Sequence, residues 1–242
     1  MRKNTLRWTT TTITAFIVLT LLSACASAQM KDPRAFMDAP LFGMIYDHDN
    51  LPVPNVVLTI NGKSVAESDL TGRFVIPRLL KGDHSVTVTK PGYETLLVKL
   101  AFQNDTQVLY LQMYSQLQLV EMAEKKIDSR NWAQAKALLA RAGRINQKDP
   151  TYQYVDAILE FRTGNPQKSI DRLNELLKAG VDDPSVLLFL ADIYQYSLDR
   201  PADAVPYLKR YLEQKGNDAV SARLNAIESA KPKQTRATNG PK

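Results

Sequence analysis

One interval constrains this chain more than any other feature: 34 residues. Ala123 recurs as Ala157 and again as Ala191, each 34 residues on. Asp149-Pro150 recurs as Asp183-Pro184 at the same interval, then as Asn217-Asp218 after one inserted residue. Ala135 and Leu139 return as Ser169 and Leu173 and, with that insertion, as Ala204 and Leu208. Asn131-Trp132, Asn165-Pro166 and Arg200-Pro201 mark a turn inside each unit. A fixed period of this length predicts a stack of helix-turn-helix units, each burying its apolar face only against its neighbours. Small residues belong where paired helices must approach closely. Three units, the usual minimum for a stable stack, cover about 117 to 217, and Ala219 to Ser229 reads as a capping helix.

These residues resemble the tetratricopeptide repeat. The third unit matches best, with Leu187, Leu190, Ala191 and Tyr194 on its first helix. The second departs, carrying Gln153, Asp156 and Glu160 where large apolar or aromatic residues are expected. The resemblance implies a concave groove, formed by the first helix of each pair, that holds an extended peptide or a partner helix. By repeat position that groove receives Leu117, Val120, Glu124 and Ile127, then Tyr154, Ile158 and Phe161, then Leu188, Asp192 and Gln195. The competing reading is that several of these pack on the neighbouring β-region. The basic and Asn positions of carboxylate-clamp repeats are absent, since Val120, Tyr154 and Leu188 stand at one of them. A chaperone-tail ligand is therefore not expected, and an apolar, aromatic groove suits an amphipathic segment.

From Leu41 to about Tyr114 the period is two. Val56, Leu58 and Ile60 alternate with Val57 and Thr59, Val86 and Val88 with Ser85, Thr87 and Thr89, and Leu96, Val98 and Leu100 with Thr95, Leu97 and Lys99. Turn residues separate the runs: Asn61-Gly62, Thr71-Gly72, Gly82-Asp83, Pro91-Gly92 and Asn104-Asp105. About seven short strands in this span predict an antiparallel β-sandwich, apolar inward and polar outward. The spacing Gly43-x-Ile45-x-Asp47, then Leu51-Pro52-Val53-Pro54-Asn55-Val56, resembles the opening of carboxypeptidase regulatory-like domains. So does Ser68-Asp69-x-x-Gly72-Arg73-Phe74-x-Ile76-x-x-Leu79, and the later run Gly82-x-His84-x-Val86-x-Val88-x-x-x-Gly92-Tyr93 is shared with PEGA-type modules. Asn55 stands where a glycine is usual, and His84 where an aromatic often sits. The resemblance implies a structural or binding module without catalysis.

Cys25 is the single cysteine, and it closes Leu22-Ser23-Ala24-Cys25 behind the apolar run Ile13 to Leu22. Arg2, Lys3 and Arg7 precede that run, which at ten residues is too short to span a bilayer. The string resembles a bacterial lipobox, in which a thiolate takes a diacylglycerol through a thioether. It implies a signal peptide over 1–24, a lipidated palmitate-bearing Cys25, and a tether over 25–40. The competing readings are a cut after Ala28, using Ala26-Ser27-Ala28, which would release a soluble protein, an uncleaved anchor, and a coincidental free cysteine. Ala26 rather than Asp follows the cysteine, and by analogy with enterobacterial sorting this favours the outer membrane over the inner.

The formal charge of +6 does not mark a nucleic-acid binder. Three cations lie in the leader and four in the tail Lys231 to Lys242, which holds no acid and is expected to be disordered. Between them 24 basic residues face 25 acidic ones, so no basic face is concentrated on a domain. Two histidines, His48 and His84, lack any metal-ligand spacing, and no cofactor or metal is expected. No nucleophile elbow, zinc-protease motif or phosphate loop occurs, so no enzyme is expected. The expected whole is an α+β multidomain chain: a β-sandwich over 41–114, TPR-like repeats over 116–230 as three helix pairs plus a cap, and a basic tail over 231–242. The expected role is a lipid-anchored envelope adaptor binding an unidentified envelope protein. The alternative is a glycan- or peptidoglycan-binding lipoprotein that uses the sandwich, with Tyr46, Tyr93 and Tyr110 as candidate stacking residues and the repeats as a stalk.

Overall fold

The computed structural model describes residues 38–230. Cys25, the string Leu22-Ser23-Ala24 and the basic tail lie outside the described residues. Seven strands come first: β1 (Asp38–Tyr46), β2 (Val57–Ile60), β3 (Lys63–Glu67), β4 (Arg73–Leu80), β5 (Gly82–Thr89), β6 (Leu96–Phe102) and β7 (Val108–Gln112). They form two sheets, ordered β4-β1-β7 and β3-β2-β5-β6. All pairings are antiparallel except β1 with β7, which runs parallel from Phe42↔Val108 to Tyr46↔Gln112. β1 takes in Asp38, Ala39 and Pro40, upstream of the boundary at 41. Its register with β4 shifts between Ala39 and Leu41, at the proline that has no N–H to give a ladder.

Alternation explains the core. Leu41, Ile45, Leu58, Phe74, Ile76, Val86, Val88, Leu100 and Leu111 all face inward and are buried together. Gly43 sits between Leu41 and Ile45 because the Phe74 ring and the Leu109 carbonyl occupy the space a Cβ would need. The residues that carry the family resemblance are structural ties. Ser68 is buried, donates to the Val53 carbonyl (2.8 Å) and accepts from the Val56 N–H (2.9 Å). Asp69 accepts from Thr71 and from the Arg73 N–H, bonds that hold its carboxyl below the usual range. Asn55 takes φ 55°, a left-handed conformation that asparagine tolerates better than most residues and that suits a glycine position.

Seven helices follow: α1 (Gln116–Asp128), α2 (Trp132–Ile145), α3 (Pro150–Arg162), α4 (Pro166–Lys178), α5 (Pro184–Asp192), α6 (Pro201–Gln214) and α7 (Asp218–Ala230). They form three antiparallel pairs and a cap in a TPR-like arrangement. The 34-residue marks are caps and crossings. Asn131, Asp149 and Asp183 each accept a backbone N–H of the helix they start, as Asn217 does from Val220. Pro150, Pro166, Pro184 and Pro201 occupy first-turn positions where their missing N–H costs nothing. Ala123, Ala157, Ala191, Ala135, Ser169 and Ala204 are all fully buried at the crossings. The residue inserted in the third unit appears as a π-helical turn, Ile193–Ser197, that continues α5, with the Leu198 N–H bonded to the Ile193 carbonyl five residues back. Asp156, the departure in the second unit, is buried and paired with Arg172 Nε of α4 at 2.7 Å.

The sandwich runs into the helices with no free linker. The Gln116 N–H donates to the Gly92 carbonyl and the Glu94 N–H to the Tyr114 carbonyl, both at 2.9 Å. Ser115 and Gln118 close a capping box at the start of α1, and the Gln118 amide also reaches Asp49 at 2.6 Å. Arg141 of α2 forks onto Glu94 with its Nε and Nη2 (2.9 and 2.6 Å). Its guanidinium lies 4.7 Å from the Tyr114 ring centroid, and His48 stacks on the same Tyr114. The two parts therefore hold a defined mutual orientation.

Candidate functional site

The first helices of the three pairs, α1, α3 and α5, each present one stripe of side chains on the same side of the stack. On α3 the stripe is Tyr154, Ile158 and Phe161, all half-buried. On α5 it is Leu188, Phe189 and Asp192. Phe189 joins the two stripes, with its ring edge-on to Phe161 (5.3 Å) and to Tyr154 (6.2 Å). Together with Arg162 and Ser185 these residues line an open cleft of about 530 Å³. A second cleft of about 200 Å³ lies on the other side of Tyr154, walled by Pro150, Thr151, Leu176, Val181, Asp183, Ser185 and Val186.

Not every residue at a groove position reaches the groove. Val120 and Ile127 of α1 are only 1% and 6% exposed, because they pack in the core with Val155 and Leu159 of α3. Neither can meet a ligand without repacking. The stripe that α1 offers to solvent is instead Leu117, Glu121, Glu124 and Asp128, spaced four, three and four residues apart along one helix face, with the exposed Lys125 along its edge. Glu121, Glu124 and Asp128 form no ion pair among the described residues. Burial pushes the Glu124 carboxyl up, and the charges of Glu121 and Asp128 add to that. Burial also pushes the Tyr154 hydroxyl up, and the charges of Asp183, Asp192 and Glu124 add to that.

Gln195 and Asp192 prove to be held by a residue that repeat position had not marked. Arg223 of α7 donates through Nη1 to Asp192 (2.7 Å) and through Nε to Gln195 (2.5 Å), and its guanidinium lies 4.9 Å from the Tyr196 ring centroid. Arg223 stands 35 residues after Leu188, the spacing of the third unit, so the cap occupies the place of a fourth first helix. Treating α7 as only a lid hides this. The interval that aligns Tyr154 with Leu188, lengthened by the one inserted residue, would have found it.

Elsewhere the chemistry is structural. His84 bonds the Leu80 carbonyl (2.7 Å), and His48 stacks on Tyr114. Among the described residues no His, Cys, Asp and Glu side chains gather as a metal site, and no helix is long and apolar enough to cross a membrane. Of the tyrosines considered for sugar stacking, Tyr110 is strongly exposed beside Met44 on the outer face of the β4-β1-β7 sheet. Tyr46 and Tyr93 are half-buried.

No protein-family model matches the chain, and no curated protein does. Three solved structures illustrate what it is similar to. The Yersinia enterocolitica type III secretion chaperone SycD, in complex with a peptide of the translocator YopD, is 17% identical with a TM-score of 0.43; the match covers 48% of this chain and 94% of that one. The TPR domain of Sgt2 from Aspergillus fumigatus is 16% identical with a TM-score of 0.42, over 52% and 85% of the two chains. A cohesin–X-dockerin complex from Acetivibrio cellulolyticus matches at 21% identity and a TM-score of 0.28, over 32% and 58%.

Proposed function

We propose that this chain is a lipid-anchored adaptor of the cell envelope. Cys25 holds it to a membrane, the carboxypeptidase regulatory-like sandwich spaces it from the surface, and the TPR-like repeats bind a protein partner. The observation that carries this reading is the open cleft between α3 and α5, floored by Tyr154, Ile158, Phe161, Leu188 and Phe189. Half-buried aromatic and aliphatic side chains gathered in one open concavity favour a macromolecular ligand over solvent. The resemblance of the sandwich to a non-catalytic module, and the structural roles of Ser68, Asp69, Asp156 and His84, support binding over catalysis. The same reading makes Cys25 the acylated residue and the outer membrane its destination.

A photo-crosslinking residue placed at Ile158 or Leu188 of the full chain in living cells tests it. The expected result is one envelope protein crosslinked from both positions and absent from a control at Glu175, together with loss of membrane association on Cys25→Ala. Equal crosslinking from Glu175, or retention of cell-wall glycan with no protein, would overturn the adaptor reading. The second outcome would shift recognition to the sandwich, where the exposed Phe42 and Tyr110 flank the half-buried Met44 on one sheet face.

A further inference from the structure

The groove is not electrically uniform. At its α7 end the Asp192 carboxylate is answered by Arg223. At its α1 end Glu121, Glu124 and Asp128 share one helix face and form no ion pair among the described residues, with the exposed Lys125 at the edge of that face, so three carboxylates outnumber one ammonium there. Between the ends lies the aromatic cleft of α3 and α5. Arg162 is the cation in the cleft lining, and it stands at the last turn of α3.

We infer that the groove takes an extended peptide segment of the partner in which a bulky apolar anchor enters the α3–α5 cleft and two Lys or Arg side chains, about three residues to one side, lie over the α1 carboxylates. This inference rests on the partner-binding reading of the same groove and gives that partner its chemistry. The spacing follows from geometry. Neighbouring helices pack about 8–10 Å apart, and an extended chain advances about 3.3 Å per residue, so crossing from the cleft to the α1 stripe takes about three residues. Charge complementarity sets which side the cations occupy, because the opposite end is already neutralised. The half-buried aromatics supply the anchor site, since apolar area removed from water there drives binding while the flanking charges choose among sequences. The chain's own tail has four cations and no bulky apolar residue, so it matches one half of this pattern and lacks the anchor.

The probes are four dye-labelled peptides. Three share a Phe-Leu anchor and differ in the pair three residues before it, which is Lys-Lys, Gln-Gln or Glu-Glu. The fourth keeps Lys-Lys and replaces the anchor by Ser-Ser. Affinities are read by fluorescence anisotropy on the chain from Ala26 to Lys242, which retains every described residue, and on the same chain ending at Ala230. At low salt the Lys-Lys anchor peptide is expected to bind about tenfold tighter than the Glu-Glu one, with the preference shrinking severalfold at 0.5 M salt. The combination Glu121→Gln, Glu124→Gln and Asp128→Asn is expected to erase that preference while leaving Tm and the anchor requirement in place. Phe189→Ala is expected to weaken the three anchored peptides alike. Equal affinity for the Lys-Lys and Glu-Glu peptides in both chain lengths overturns the inference, as does binding of the Ser-Ser peptide as tightly as its anchored counterpart. Failure of all four peptides overturns it too. Crosslinks from Ile158 in cells would in that case still uphold a protein partner, of different chemistry.

Discussion

Replacing Arg141 by alanine probes the clasp between the two halves of the chain. Arg141 forks onto Glu94 and covers the Tyr114 ring. The Arg141 and Glu94 side chains are 32% and 18% exposed, so the pair sits between surface and interior. The bond to Glu94 raises the guanidinium pKa, against a smaller opposing effect of burial, so the pair stays charged despite its partial burial. A charged hydrogen bond contributes about 1.5–3 kcal/mol and a partly exposed ring contact about 0.5–1 kcal/mol. Screening by solvent at the exposed third of Arg141 brings the pair towards the lower end. The expected loss on Arg141→Ala is about 2 kcal/mol in urea unfolding. Arg141→Lys keeps the charge without the fork and is expected to recover less than half of that. A double-mutant cycle with Glu94→Gln should return a coupling of about 1 kcal/mol. Because the lost contacts join the sandwich to α2, calorimetry of Arg141→Ala is expected to resolve two transitions where the wild type shows one. A loss within 0.5 kcal/mol, additivity with Glu94→Gln and one unchanged transition would refute the reasoning.

Ser169→Ala is expected to raise stability by about 1 kcal/mol, seen as a higher Tm, because the buried Ser169 hydroxyl has no partner and alanine is the better helix former at this crossing. Ser68→Ala should do the opposite, costing about 2 kcal/mol by chemical unfolding, since it leaves the Val53 carbonyl and Val56 N–H without their buried bonds. Burial first, opposed by Arg172, raises the Asp156 carboxyl above its ordinary value. The contribution of Asp156 is therefore full below the unfolded value and is lost as pH rises through the folded one. The stability of Asp156→Asn minus that of wild type should accordingly grow from pH 4 to pH 7, and a flat difference would contradict the assignment. Gly43→Ala is expected to abolish soluble expression or to cost more than 3 kcal/mol, because neither the Leu109 carbonyl nor the enclosed Phe74 ring can retreat.

Much of the fold was legible in the sequence, for identifiable reasons. Asp149-Pro150 and Asp183-Pro184 pair a capping side chain with a residue suited to a first turn, so helix starts could be read directly. Ala123, Ala157 and Ala191 marked crossings because only small side chains fit there. The single inserted residue was visible too, but not its form. A longer loop would have served the spacing as well as the π turn at Ile193–Ser197 does. The direction of β7 was not legible, because alternation has the same period whether strands run parallel or antiparallel. Val120 and Ile127 show the limit for the groove. Repeat position fixes an angle around a helix, whereas their burial depends on how closely α1 leans on α3, which no single helix encodes. The clasp of Glu94 with Arg141 lies 47 residues apart in sequence and carried no local signal.

The parallel pairing of β1 with β7 also determines how the sandwich bears mechanical load. Tension pulling on the chain before Asp38 and after Gln112 would act on the start of β1 and the end of β7, which run side by side in one direction. Such a pull slides the two strands along each other and loads the hydrogen bonds from Phe42↔Val108 to Tyr46↔Gln112 together, whereas antiparallel neighbours held at adjacent ends would peel apart one bond at a time. A protein fastened to a surface at its N-terminal side and gripped through its helices would therefore place its strongest resistance where the two strands meet, and the helical stack would yield first.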